Sequence, residues 1–110
     1  ITINDVSITE GGQLSFTVTM SNESYQQITV DFATANGTAT LIDNDYTTLT
    51  GTLIFLADST VLTQIISITT IDDSAVEANE TLSVVLSNAI NSIIIDGQGI
   101  GFIIDNDSLV

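Results

Sequence analysis

Apolar and polar residues alternate with a period of two along most of this chain, the spacing that sends successive side chains to opposite faces of a β-strand. The clearest run is Leu14, Phe16, Val18 and Met20, interleaved with Gln13, Ser15, Thr17 and Thr19. Ile1, Ile3, Val6 and Ile8 form an opening strand with a break near Asn4-Asp5. Ile28, Val30 and Phe32, then Leu53 and Phe55, then Ile66 and Ile68, then Leu82, Val84 and Leu86 supply further inward rows. Turn-forming residues punctuate them at Glu10-Gly11-Gly12, Ser21 to Ser24, Ala35-Asn36-Gly37, Ala57-Asp58-Ser59 and Asp72-Asp73-Ser74. Residues 93–104 are apolar at neighbouring positions, so periodicity does not say which row faces inward. One face of that last strand is expected to be covered by another module, or by a strand added from another copy.

Strands at these intervals, with no helix of useful length, predict an all-β fold: a seven-stranded antiparallel Ig-like sandwich occupying residues 1–110 as a single domain. The Cys and Trp hallmarks of antibody domains are missing, so the likeness to them is architectural only. Proline is absent and glycines number seven, which leaves Asn, Asp and Ser to make most turns.

Charge changes the picture most. The chain has 14 Asp and Glu and no Lys, Arg or His, for a formal charge of -14. Apolar residues make up 44%, too many for a disordered acidic tail. Folding therefore concentrates carboxylates that no internal base can neutralise, and their repulsion opposes compaction. Nucleic acid is excluded as a partner, since phosphate neutralisation needs Lys or Arg. Adhesion to anionic membranes is disfavoured for the same reason, and no apolar run is long enough to insert. Without Cys or His, zinc loses its usual ligands, whereas carboxylate, amide, hydroxyl and backbone oxygens suit a hard cation such as Ca2+.

Three acidic clusters fall at strand ends: Glu10; Asp72, Asp73, Glu77 and Glu80; Asp105 and Asp107. In a sandwich, loops separated by an even number of strands share an end, so these clusters can converge on one pole. Calcium takes six to eight oxygens at roughly 2.3–2.6 Å, and an acidic loop with two flanking clusters can furnish them. A single Asp at a strand end is ordinarily a solvated turn former; the whole set in a chain without bases favours the metal. No EF-hand is present: Asp43-Asn44-Asp45 and Asp105-Asn106-Asp107 begin like one but lack the Gly and closing Glu. Four Asn-X-Ser/Thr triplets, at Asn22, Asn36, Asn79 and Asn106, are taken as chance matches. An enzyme is not expected, because no His, Lys, Cys or Arg is available as base, nucleophile or anion stabiliser.

A set of blocks, in order, resembles the Calx-beta domain: residues 6–12 (VSITEGG), 30–39 (VDFATANGTA), Asp45-Tyr46, 51–55 (GTLIF), Asp72-Asp73 with Val76-Glu77, Asn79-Glu80-Thr81-Leu82, Leu86-Ser87-Asn88, and 103–107 (IIDND). The resemblance implies a seven-stranded sandwich with calcium held by acidic loops at one end. It implies Glu10, Asp72, Asp73, Glu77, Glu80, Asp105 and Asp107 as ligands, with the carbonyl of Ala75 adding an oxygen. Asn36 and Asn106 stand where the family often has acids, which points to one or two ions rather than a crowded cluster. The resemblance also implies a tandem repeat of a longer extracellular or cell-surface protein, or one subunit of a filament, with identical or similar domains neighbouring it head to tail. An adhesin stalk or extracellular fibre stiffened by calcium is the function expected on these grounds. The alternatives are a regulatory calcium sensor coupled to a partner domain, and a carbohydrate- or ice-binding adhesive domain using Thr-rich exposed strand faces; Thr17, Thr19, Thr69 and Thr70 are better explained by β propensity.

Overall fold

The computed structural model describes residues 1–21, 24–39, 46–71 and 78–105. Among them run eight strands: β1 (Thr2–Ile3), β2 (Val6–Thr9), β3 (Gln13–Thr19), β4 (Ile28–Asn36), β5 (Thr50–Phe55), β6 (Thr63–Thr69), β7 (Glu80–Ile90) and β8 (Gln98–Ile104). They form two facing sheets, ordered β1-β3-β6 and β2-β8-β7-β4-β5. Among the described residues no helix is long and apolar enough to cross a membrane.

The count is eight rather than seven because the opening strand is divided. Asn4 and Asp5 carry the chain from one sheet to the other and replace the missing ladder bonds with side-chain acceptors. Thr17 N donates to Asn4 Oδ1 at 2.8 Å on the β3 side, and Ile100 N donates to Asp5 Oδ1 at 2.8 Å on the β8 side. The crossing also corrects the expectation of a purely antiparallel sandwich: β2 lies parallel to β8, with Val6 opposite Gly101 and Thr9 opposite Ile104. The other pairings between strands are antiparallel.

The inward rows are those that alternation predicts. Leu14, Phe16, Val18, Met20, Ile28, Val30, Phe55, Ile66, Ile68, Leu82, Val84 and Leu86 are all buried. Residues 93–95 belong to the β7–β8 connection rather than to a strand. On β8 the inward row is Gly99, Gly101 and Ile103, while Phe102 and Ile104 face out. The glycines leave room for the large β3 side chains: a Cβ on Gly101 would lie 2.7 Å from Leu14 Cδ1, and one on Gly99 would lie 2.6 Å from the Asn4 carbonyl oxygen. β8 is flanked by β7 and β2, so a strand from another copy has no place beside it.

Candidate metal centre

Several core rows change chemistry as they reach one pole. Along β2 the inward row is Val6, Ile8 and then Glu10; along β7, read backwards, it is Leu86, Val84, Leu82 and Glu80; along β8 it is Gly101, Ile103 and Asp105. The opposite sheet does the same, with Ile66 and Ile68 followed by Thr70. On β4, Asn36 stands opposite Leu82 and so shares its face. Each of these rows thus ends in an oxygen-bearing side chain, while the β3 row ends at Gly12. The parity that builds the core also aims these oxygens at the mouth of the sandwich.

Backbone hydrogen bonds fix the carboxylate-bearing ends beside one another. Glu10 N donates to the Ile104 carbonyl at 2.9 Å, which seats Glu10 next to Asp105. Asp105 N donates to Asn79 Oδ1 at 3.0 Å, which ties the end of β8 to the start of β7. Glu10, Asp105 and Glu80 therefore stand at the ends of three adjacent strands, β2, β8 and β7. Glu10 is only 8% exposed, and its Oε1 is shut off from solvent. Enclosing a carboxylate is costly unless something offsets its charge, and the sequence offers no cationic side chain to do so. A hard cation fits the donor chemistry of this pole, since every side-chain donor there is oxygen.

The remaining predicted ligands, Asp72, Asp73, Ala75, Glu77 and Asp107, lie outside the described residues, as do Asp43, Asp45 and Asn106. Among the described residues, Glu10, Glu80 and Asp105 do not by themselves make a group of three close enough to hold an ion. The chain nevertheless enters residues 72–77 from an anchored position beside Glu10. Thr70 N donates to the Gly12 carbonyl at 3.0 Å, Thr70 Oγ1 donates to the same oxygen at 2.7 Å, and Gly11 N donates to Thr70 Oγ1 at 2.9 Å. Gly11 sits at φ 91°, a conformation that only glycine adopts readily, so the tight turn after Glu10 depends on it.

Thr70 is 3% exposed and ties the end of β6 to the Glu10 turn, so it belongs to no exposed threonine face. Asn79, which orders Asp105, had no sequence signal beyond its place in an acidic block. Asn36 accepts a 2.6 Å hydrogen bond from the hydroxyl of Tyr46, itself 2% exposed. Burial pushes that hydroxyl above its ordinary pKa.

The family model described as the Calx-beta domain matches residues 1–107 of this chain. The chain belongs to the Calx-beta family. A search of curated proteins found no match. Among solved structures, this Calx-beta domain is similar to the "Apo-form Calx CBD1 domain", at TM-score 0.82 and 23% identity over 94% of this chain and 91% of that one. It also resembles the "calcium binding domain CBD12 of CALX1.1", at TM-score 0.83 and 23% identity over 97% of this chain, but it spans only 47% of that structure. The "Calx CBD2 domain" superposes less fully, at TM-score 0.67 and 24% identity over 78% of this chain. At these identities the structural likeness speaks for the Calx-beta fold, a sandwich of two sheets.

Proposed function

We propose that this Calx-beta domain is a non-catalytic calcium-binding module of a secreted or cell-surface protein, in which the ion stiffens the domain and its junction with a neighbouring module. The observation that carries the reading is Glu10: a carboxylate enclosed where the core rows end, in a chain with no positive side chain. Glu10, Glu80 and Asp105 would hold Ca2+ together with Asp72, Asp73, Glu77, Asp107 and the Ala75 carbonyl. The ion supplies the charge that the sequence lacks and links β2, β7 and β8 at their ends. The similar structure named as the "calcium binding domain CBD12 of CALX1.1" agrees with the reading. The domain measures 57 × 22 × 18 Å, with Ile1 near one pole and Asp105 at the other. A module joined beyond Asp105 would therefore sit at the metal pole and continue along the long axis.

Thermal unfolding in calcium, in magnesium and in excess chelator tests this. A ligand at 100 times its dissociation constant stabilises by about 2.7 kcal/mol, or a melting shift of about 10–20 °C for a domain near this size. Glu10→Gln and Asp105→Asn should each remove most of the calcium-specific part. An unchanged melting temperature, or an equal rise with magnesium, would sink the proposal.

A carbohydrate-binding reading has one observation in its favour. The outer face of β3 and β6 pairs Gln13 with Thr69, Ser15 with Ser67, Thr17 with Ile65 and Thr19 with Thr63, a surface without a charge. Retention of the domain on insoluble polysaccharide, lost on Thr17→Glu, would support it.

A further inference from the structure

The pole opposite the acids is apolar. Three connections meet there: β3 to β4, β5 to β6 and β7 to β8. Asp58 N donates to the Ser24 carbonyl at 2.7 Å, Met20 N to the Leu62 carbonyl at 2.8 Å, and Ile95 N to the Ile1 carbonyl at 2.9 Å. On this end Tyr25, Leu56, Val61, Ile90, Ile93 and Ile95 are between 57% and 81% exposed. Across its long axis the molecule extends 22 and 18 Å. Such concentrated apolar exposure marks a contact surface more often than a solvated one.

We propose that this apolar pole is a self-association surface, on which a second copy of the chain docks through the same pole. The argument for that occupant is the distribution of charge. Among the described residues the pole carries the carboxylates Asp58 and Asp96, while Glu10, Glu80 and Asp105 lie at the far end. Two chains of charge -14 repel in most approaches. Pole-to-pole docking separates the acidic ends by roughly two molecular lengths, far beyond the ~8 Å Debye length at physiological salt. With no ion bound, docking separate copies head to tail would instead set isoleucines against the Glu10, Glu80 and Asp105 end, which desolvates more carboxylate than Asp58 and Asp96 bring. The arrangement is isologous, so assembly stops at two. With side chains included, each end face offers on the order of 500 Å2, so the pair buries about 1,000 Å2, the size range of weak and transient complexes. The surface is remote from the acidic pole, so this inference stands independently of calcium binding.

Sedimentation velocity and small-angle scattering of the 110-residue chain, from about 10 μM to about 1 mM in ~0.15 M salt, with chelator and with calcium, give the test. The expected result is a concentration-dependent dimer in both conditions, with a maximum dimension nearly twice the monomer's. The double substitution Ile93→Ser, Ile95→Ser should weaken it at least about tenfold, a loss of roughly 1.4 kcal/mol. Phe102→Ser, on the broad outer face of β8, should leave it unchanged, and matched melting curves would show all variants folded. A monomer at the highest concentration, a dimer no longer than one molecule, growth beyond two copies, or a dimer indifferent to the isoleucine pair would each overturn the proposal.

Discussion

Thr70→Val isolates the clamp that ties the end of β6 to the Glu10 turn. Valine keeps the shape and removes the hydroxyl. Two hydrogen bonds vanish, the 2.9 Å bond from Gly11 N and the 2.7 Å bond to the Gly12 carbonyl. The Gly12 carbonyl keeps the donor from Thr70 N at 3.0 Å. Gly11 N loses its side-chain acceptor but lies in an exposed turn where water can reach it. A lost hydrogen bond costs about 0.5–1.5 kcal/mol, and a stranded donor about 1–3 kcal/mol when sealed from water. With water access the sum falls to about 1–2 kcal/mol, a melting decrease of about 5–15 °C in chelator. Thr70→Ser keeps both bonds and loses one buried methyl, about 0.8 kcal/mol. Calcium separates the two further: the Val variant should lose part of its calcium-induced rise, because the end of β6 that leads into the acidic block is no longer tied to the Glu10 turn, and the Ser variant should keep it. A Val variant that melts with the parent, or a Ser variant that loses as much calcium response as the Val variant, would refute the clamp.

Three other outcomes follow from the same structure. Gly99→Ala should destabilise by about 1–3 kcal/mol, the usual range for overpacking, because its Cβ meets the Asn4 carbonyl at 2.6 Å; Gly101→Ala, which meets the movable end of Leu14, should cost less in urea unfolding. Tyr46 is held neutral by burial, with its folded pKa above the ordinary 10.0; its stabilising share is complete below that pH and is lost as pH rises through the folded value, so Tyr46→Phe should flatten the alkaline arm of a melting-versus-pH curve. Asp31 has its carboxyl lowered from 3.8 chiefly by the Thr52 hydroxyl and next by Asn88; its share is present above the unfolded pKa and lost as pH falls through the folded one, and Thr52→Val should move its NMR titration upward toward 3.8.

Alternation by itself determined which residues enter the core, because a strand sends every second side chain to the same face whatever its partners are. Leu14 to Met20, Ile66, Ile68 and Leu82 to Leu86 were legible for that reason, as was the break at Asn4-Asp5. The absence of any base determined that the acids need an external counter-charge. The spacing of the acidic blocks named the candidate ligands, of which the described residues place Glu10, Glu80 and Asp105 on adjacent strand ends.

Tertiary structure decided the rest. A period of two says which face a side chain takes but not which strand lies alongside, so the parallel pairing of β2 with β8 had no local signature. The inward row of β8 is two glycines and Ile103 because Leu14 and Phe16 from the other sheet already occupy the space, a fact of packing between distant segments. Thr70 reads in sequence as one more strand threonine; only the neighbouring Gly11-Gly12 turn makes it a buried clamp. The apolar pole is likewise assembled from three connections far apart in sequence. Each apolar residue there is unremarked in its own segment, and only the shared end of the sandwich makes them a surface.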